Sequence, residues 1–213
     1  MNPIYHRAEY LISAPSLRHL PEGILREVAF AGRSNAGKSS AINAITQRRG
    51  LARISKTPGR TQQMNVFALT DEVALVDLPG YGYAKVNDAM RAQWRRALPE
   101  YLRKRQALQG VMLIMDIRHP LTEHDLGMLA LVQEANLPVH VLLSKADKLG
   151  RGAGLEALRK VQRALAEISP MATAQLFSAT TRLGIDEAHA KLDAWLFPQA
   201  EKNPELVGDD VRG

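Results

Sequence analysis

One stretch of the chain has the residue types and spacing of a phosphate-binding loop. It matches GxxxxGK[ST] and stands between an apolar strand candidate and a helix-compatible stretch. Glycines let backbone N–H groups turn toward a phosphate chain, and the N-terminus of the following helix adds partial positive charge. Lys38 can reach the β- and γ-phosphates, and the Ser39 hydroxyl can ligate Mg²⁺. The predicted loop comprises Gly32, Arg33, Ser34, Asn35, Ala36, Gly37, Lys38 and Ser39.

A second motif has the chemistry to recognise a nucleotide base. Ser144, Lys145, Ala146 and Asp147 follow an apolar strand candidate, at the strand end where open α/β sheets bind ligands. The Asp147 carboxylate can accept from guanine N1–H and the exocyclic amine together, whereas adenine would leave it unpaired. The stem of Lys145 can pack over the base. A backbone N–H within Phe177, Ser178 and Ala179 can meet guanine O6. By itself Lys–X–Asp is often a solvated turn, but following a phosphate loop it favours guanine, with an ATP-dependent enzyme as the alternative.

A third set of residues can sense the γ-phosphate. Asp77, Leu78, Pro79 and Gly80 end another strand candidate, which places Asp77 to hold Mg²⁺ through a water and the Gly80 N–H to bond the γ-phosphate. A threonine hydroxyl from the polar segment 50–63 must complete the metal shell, and loss of the γ-phosphate would then release that segment. Thr57 and Thr61 both qualify, and spacing alone does not choose between them.

The elements that must position these motifs alternate between short apolar runs and amphipathic stretches, which is typical of βαβ units. We predict strands at 27–31, 64–69, 73–77, 110–116, 139–143 and 174–178, and helices around 38–47, 88–105, 122–136, 152–168 and 185–196. Only three residues separate the second and third strands, which is too few for a crossover helix, so one strand should run antiparallel. The predicted fold is α/β: a Ras-like P-loop domain with a six-stranded mixed sheet flanked by helices. We expect an N-terminal extension at 1–22, the nucleotide-binding domain at 23–198 and a flexible tail at 199–213.

Composition excludes several classes of protein. The 213 residues are 46% apolar and 23% charged, as in ordinary globular proteins, and include no cysteine, which removes disulfides and thiol chemistry. No apolar run approaches the roughly 18 residues that span a bilayer, and the N-terminus lacks the layout of a secretory signal. We therefore expect a cytoplasmic protein. The net charge of +6 is compatible with a polyanionic partner without requiring one.

From about residue 8 to 197 the chain resembles the EngB-type (YihA-type) bacterial GTPases of the TrmE–Era superfamily. The resemblance is carried by GRSNAGKSS, KTPGRTQ, DLPGYGYA, MDIRHP, LLSKADKL and FSAT. It implies that Thr61 is the magnesium-sensing threonine, and that Gly59, Arg60, Thr61, Gln62 and Gln63 lie along a bound GTP or GDP. It further implies a role in assembling the large ribosomal subunit, and a link to septation and cell division. We assign catalytic roles to Lys38, Thr61 and Gly80, and metal ligation to Ser39 and Thr61.

One departure from Ras-like GTPases affects the expected chemistry. Tyr81 stands where a glutamine would orient the attacking water, so intrinsic hydrolysis should be slow, near or below about 10⁻³ s⁻¹. A module that binds nucleotide without hydrolysing it, or a septal scaffold, is the alternative function. Related GTPases use an asparagine at the position of Asn35 to hold K⁺, so potassium is a second candidate cofactor, although a loop-stabilising amide is an equal interpretation. Arg60 is a candidate for the role of an arginine finger.

The stretch 90–105 is basic and carries two aromatic residues. Trp94 and Tyr101 fall on one helical stripe with Met90, and we expect both aromatics to pack against the sheet. The arginines on the adjacent faces favour contact with ribosomal RNA, the alternative being simple solvation. Pro99 should kink or interrupt this helix. We expect neither a membrane nor DNA as a partner, and the six histidines show no metal-binding pattern.

Overall fold

A computed structural model describes residues 2–53, 63–81 and 88–198, with only the backbone for 88–95. These ranges contain seven strands and five α-helices. The strands are β1 (Glu9–Ala14), β2 (Arg26–Gly32), β3 (Met64–Ala68), β4 (Val73–Asp77), β5 (Leu108–Asp116), β6 (Val139–Ser144) and β7 (Ala172–Leu176). The helices are α1 (Lys38–Thr46), α2 (Asp88–Lys104), α3 (Glu123–Glu134), α4 (Arg151–Ile168) and α5 (Ile185–Leu196).

The strands form one mixed sheet in the order β1-β3-β4-β2-β5-β6-β7. β3 pairs antiparallel with both β1 and β4, and every other pairing is parallel. The prediction of a single antiparallel strand is therefore confirmed. The four-residue connection between β3 and β4 explains it, because so short a link can only reverse the chain.

The strand count is the correction to the predicted fold, because the sequence predicts six strands and the sheet has seven. The additional strand is β1, in the segment expected to precede the sheet. Among the described strands it pairs only with β3, at the edge of the sheet. Tyr10, Leu11 and Ile12 in its middle are 58%, 47% and 37% exposed. Because most of its side chains face solvent, the alternation of buried and exposed residues that marks a strand is missing here.

The core lies in two layers, one on each face of the sheet. Helices α2, α3 and α4 cover one face, where Leu113 and Leu129 are fully or almost fully buried. Helices α1 and α5 cover the other, together with a short 3-10 helix at Pro3–Arg7 that contributes the buried Tyr5. Neighbouring residues of β5 alternate between the layers, as a strand covered on both faces requires. No described helix is long and apolar enough to cross a membrane.

The C-terminal part of α2 is anchored by a buried charge. Tyr101 is fully buried, as expected from the stripe, and its hydroxyl donates to Glu27 Oε1 at 2.7 Å. Arg105 donates to the other Glu27 oxygen at 2.8 and 3.1 Å. Pro99 lies inside α2, which continues through it to Lys104. The side chain of Trp94 lies outside the described residues.

Candidate nucleotide-binding site

The predicted motifs converge at the carboxyl ends of the central strands. Gly32 ends β2, Asp77 ends the neighbouring β4, and Ser144 ends β6 on the other side. Since parallel strands present their carboxyl ends at one edge of a sheet, three segments that are distant in sequence meet in one cleft. The last strand was predicted at 174–178 and ends earlier, at Leu176, which leaves Phe177 and Ser178 in the loop that faces this cleft.

The phosphate loop has the tight backbone that its glycines predict. A Cβ at Gly32 would lie 2.8 Å from the Ile114 carbonyl oxygen, so no other residue fits there without displacing β5. Gly37 has φ of +102° and is the N-cap of α1, and Asn35 also adopts a left-handed conformation, with φ of +62°. The Ala36 N–H donates to the Arg33 carbonyl at 3.0 Å and closes the turn. The loop thus directs the first turn of α1 toward the cleft.

The residues predicted for phosphate and for metal lie in direct contact. Lys38 Nζ donates to Asp77 Oδ1, and both side chains are buried, with 9% and 4% of their surface exposed. Ser39 follows Lys38 in the first turn of α1 and is half-buried. A cation and a carboxylate with little access to water are held at the junction of the loop and β4. This arrangement suits a ligand that carries both phosphate oxygens and a hard cation.

The base motif is joined to the phosphate loop by side-chain hydrogen bonds. The Ser144 hydroxyl contacts the Ala36 carbonyl and lies 3.1 Å from the Met115 carbonyl. Lys145 has a left-handed backbone, with φ of +59°, and its ammonium donates to the Asn35 carbonyl at 2.7 Å. The bonded residues Asn35 and Lys145 are 110 positions apart, and their contact joins the two motifs along one wall of the cleft.

Asp147 is held in a fixed orientation beside the loop that follows β7. Its Oδ1 accepts from the Ser178 hydroxyl at 2.7 Å, and its Oδ2 pairs with Lys148 at 2.9 Å. These two partners, Ser178 first, lower the pKa of Asp147 below its usual value and keep the carboxylate ionised. The Ala146 N–H donates to the Phe177 carbonyl at 3.1 Å, and the half-buried Ala179 comes next in that loop. The two segments predicted to meet a guanine base therefore lie side by side.

Asp116 is a site residue that the sequence reasoning missed. It ends β5 between the two motif strands, is 6% exposed, and accepts from the Lys145 ammonium at 2.9 Å. Arg118 donates to both its carboxylate oxygens, at 2.9 and 2.6 Å. Burial alone would raise the pKa of Asp116, but the bonds from Arg118 and Lys145 outweigh burial and hold it well below the usual range. The sequence feature that could have identified Asp116 is its position as a carboxylate at the carboxyl end of a buried parallel strand.

Tyr81 makes structural hydrogen bonds through both its backbone and its side chain. Its carbonyl accepts from the Ser34 N–H at 3.0 Å, which ties the segment after Gly80 to the phosphate loop. Its hydroxyl donates to Asp125 at 3.1 Å, within the capping box that Asp125 forms with Thr122 at the start of α3. Burial, reinforced by the Asp125 carboxylate, raises the pKa of Tyr81 well above its ordinary value. The hydroxyl is therefore a neutral donor directed toward α3.

The remaining predicted residues divide between the described parts of the chain and the segments outside them. Leu78 and Pro79 are buried, and Gly80 is half-buried at the end of the turn. Gln63 is exposed directly before β3. The following candidates lie outside the described residues: Thr57, Gly59, Arg60, Thr61 and Gln62.

The arrangement identifies a class of protein. A loop that opens a helix after the central strand is a nucleoside-phosphate site, and an oriented carboxylate two strands away suits guanine rather than adenine. The fold and the site are those of a P-loop GTPase domain. Residues 27–145 match the family described as 50S ribosome-binding GTPase.

Comparison with individual proteins of known sequence identifies one family within this class. A probable GTP-binding protein EngB of Hydrogenovibrio crunogenus is 54% identical over 195 residues, which cover 92% of this chain and 92% of that protein. A probable GTP-binding protein EngB of Photorhabdus laumondii is 50% identical over 199 residues, covering 93% and 95%. The chain belongs to the EngB family of GTP-binding proteins. At the level of the fold it is similar to a crystal structure of a probable GTP-binding protein engB, with a TM-score of 0.64 and 19% identity over 80% of this chain and 98% of that one.

Proposed function

We propose that this protein binds GTP and GDP with Mg²⁺, hydrolyses GTP slowly, and uses the two states to time its attachment to the large ribosomal subunit or its precursor in the cytoplasm. The contact between Asp147 and Ser178 carries the guanine assignment, because it aims a carboxylate into the cleft with its orientation already set. A preorganised acceptor loses less entropy when the base binds. We further propose that the protein is needed for normal septation and cell division, as the family resemblance implies.

The residues around Lys38 fit a phosphate chain and a divalent cation. Lys38 would meet the β- and γ-phosphates, Ser39 and Thr61 would ligate Mg²⁺, and Asp77 would accept from a water of its shell. The buried contact between Lys38 and Asp77 supports this assignment, because it already gathers the cation and the anion that such a ligand requires. Mg²⁺ would supply charge neutralisation on the phosphate oxygens. Asn35 is the candidate ligand for K⁺, and its left-handed backbone equally supports a role in shaping the loop.

The hydrogen bond from the Tyr81 hydroxyl to Asp125 supports slow hydrolysis. A hydroxyl that donates to the cap of α3 does not orient an attacking water, and no described side chain takes the place of a glutamine there. The same observation favours a second candidate function, a nucleotide-dependent binding module or septal scaffold with negligible hydrolysis. Phosphate release over many turnovers, above that of a Lys38→Ala variant, would exclude this second candidate.

An RNA-rich partner is supported by the family description and by the charge of the chain. The family that matches residues 27–145 is described as ribosome-binding. Arg96 and Arg103 of α2 are exposed, whereas Arg105, which follows the helix, is turned inward onto Glu27. The exposed arginines of α2 are the candidates for contacts with phosphates of ribosomal RNA.

The proposal is tested by nucleotide binding in the presence and absence of the ribosomal subunit. We expect fluorescent GTP and GDP to bind in the micromolar range and to resist excess ATP, and we expect purified large subunits to favour GTP over GDP. Equal competition by ATP would overturn the guanine assignment. If the subunit left both affinities unchanged, the switch would remain without its ribosomal role. Co-sedimentation with subunit precursors that is lost at high salt would argue against a septal scaffold as the main function.

A further inference from the structure

An exposed cluster of arginines lies on the α1 face of the sheet, away from the nucleotide cleft. Arg7, Arg48, Arg49 and Arg53 are all exposed, and we call them the arginine patch. The segments that carry them, 2–14 and 43–53, contain one acidic residue, Glu9. Helix α1 begins at the phosphate loop and spans nine residues, so the patch beyond its C-terminus lies about 13 Å from that loop.

The fold holds the two segments of the patch together. The Arg48 guanidinium donates to the His6 carbonyl at 3.2 Å, which connects the loop after α1 with the N-terminal 3-10 helix. The Asn43 side chain bonds both the N–H and the carbonyl of Ala52, at 2.8 and 2.9 Å. Ala52 is buried as a consequence, and the loop presents Arg49 and Arg53 to solvent on either side of it.

The charge of this cluster is not neutralised within the described part of the chain. There, none of the four guanidinium groups forms an ion pair, whereas Arg105 pairs with Glu27 and Arg118 with Asp116. Asp193, a carboxylate that contacts the N-terminal segment, already accepts from Asn2 and Tyr5. Unpaired arginines that are brought together by backbone contacts create a positive surface suited to phosphates.

An exposed aromatic ring follows the patch on β1. Tyr10 is 58% exposed, and its ring packs edge-on against Phe67, 6.5 Å between centroids, on the sheet face that α1 covers. Its hydroxyl lies 2.9 Å from the Ser13 hydroxyl. Both contacts restrict the ring and leave part of its surface open. A restrained aromatic ring three residues after Arg7 adds to these cations the chemistry that recognises a base with its phosphates.

We propose that the arginine patch and Tyr10 form a binding surface for single-stranded or looped RNA, with the arginines contacting phosphates and Tyr10 stacking on an unpaired base. The surface lies on the opposite side of the sheet from α2, so it is a second RNA contact, separate from the arginines of that helix. Its biological setting rests on the proposed ribosomal role. Because the patch leaves the nucleotide cleft open, RNA and GTP can bind together.

The test compares charge-matched variants by the anisotropy of a short fluorescein-labelled single-stranded RNA. One variant combines Arg7→Gln, Arg49→Gln and Arg53→Gln and keeps Arg48, whose guanidinium bonds the backbone. The control combines Arg159→Gln, Lys160→Gln and Arg163→Gln, three exposed cations of α4 on the other face. The slope of log K against log salt should fall by about 2 in the patch variant, since each lost phosphate contact removes roughly 0.7. The control should keep the slope of the original protein.

Tyr10 supplies a test that charge alone would not pass. Tyr10→Ala should weaken RNA binding about fivefold or more, whereas Tyr10→Phe, which keeps the ring, should bind like the original protein. An unchanged salt slope in the patch variant would overturn the inference, as would equal losses in the α4 control. So would equal binding of anionic phosphatidylglycerol vesicles, since the surface would then recognise charge on a membrane.

The ribosomal proposal and the RNA surface can fail separately. If large subunits did not alter nucleotide binding but RNA binding depended on the patch and on Tyr10, the RNA surface would stand and the ribosomal role would fall. If subunits favoured GTP but the patch variant bound RNA normally, the nucleotide switch would stand and this surface would be excluded.

Discussion

The ammonium of Lys145 lies 2.9 Å from Asp116 Oδ2 and 2.7 Å from the Asn35 carbonyl. The stem of Lys145 is predicted to cover the base. Its ammonium is held by the buried carboxylate of Asp116, at the end of the neighbouring strand β5. Arg118 supplies a second positive charge to that carboxylate, so Asp116 stays ionised at neutral pH. The position of Lys145 therefore depends on Asp116 and, through it, on Arg118.

Asp116→Asn should weaken GTP and GDP binding equally, on the order of tenfold, because it removes a charge-assisted bond to Lys145. Titration with fluorescent nucleotides measures both affinities. Asp71→Asn, an exposed aspartate in the β3–β4 turn, is the matched control and should bind normally. The double variant with Lys145→Met should lose little more than Lys145→Met alone. Fully additive losses would show that Asp116 acts independently of Lys145.

Asp147→Asn should shift the base preference of the site from guanine toward xanthine. The carboxylate that suits the two donors of guanine becomes an amide, which offers a donor to the extra carbonyl of xanthine. We expect weaker GTP binding and a gain in binding of xanthosine triphosphate, measured by competition against one fluorescent nucleotide. Unchanged discrimination against xanthosine nucleotides would remove Asp147 from the base site.

Tyr81→Phe should leave the rate of GTP hydrolysis within about twofold, since the hydroxyl points to Asp125 and takes no part in the chemistry. It should lower the free energy of unfolding by about 1 kcal/mol through the lost hydrogen bond. Single-turnover phosphate release and urea unfolding measure the two quantities. A tenfold loss in rate with unchanged stability would assign the hydroxyl a catalytic role.

Arg105→Ala should destabilise the protein by about 3 to 5 kcal/mol, because it leaves the fully buried Glu27 without its cation. The neighbouring Lys104→Ala is the matched control: it breaks an exposed ion pair with Glu100 and should change stability negligibly. Thermal unfolding compares them directly. Similar midpoints for both variants would mean that Tyr101 alone keeps Glu27 stable.

Acid should destabilise the fold through His140. Burial lowers the pKa of this histidine from 6.5 to about 4, while it bonds Thr173 and Gln175 at 2.7 and 2.8 Å. Between these two pKa values the unfolded chain binds the proton and the folded chain does not, so stability is complete above about pH 6.5 and falls as the pH drops toward 4. Across the interval between these two pKa values, the free energy of unfolding should fall by about 3 kcal/mol.

Urea unfolding at about pH 7.5 and about pH 4.5 should therefore show a smaller loss of stability in His140→Gln than in the original protein. The buried His189, whose pKa is also lowered by burial, acts in the same direction and remains in both proteins. The comparison thus isolates His140. Equal pH dependence in the two proteins would contradict the assignment.

The sequence by itself determined the motifs and most of the elements, because both depend on local chemistry. Gly37 and Lys38 stand at the start of a helix wherever such a loop follows a strand, and Asp147 follows β6 because apolar runs and breakers reveal where strands end. The three residues between the predicted strands 64–69 and 73–77 were enough to predict a reversed strand. Each of these features is set by residues close together in the chain.

Only the tertiary structure decided which distant residues meet. β1 forms a strand because it pairs with the edge of β3, which lies about fifty residues later in the chain. The side chains of β1 are mostly exposed, so they lack the alternation of buried and exposed residues that would predict a strand. The contacts of Lys145 with Asp116, Tyr81 with Asp125, and Arg105 with Glu27 join residues 29, 44 and 78 positions apart. Sheet order brings these side chains together, and order depends on the packing of all the strands and helices at once. The sequence therefore identifies the reactive groups, and the packed sheet selects the partners that hold them.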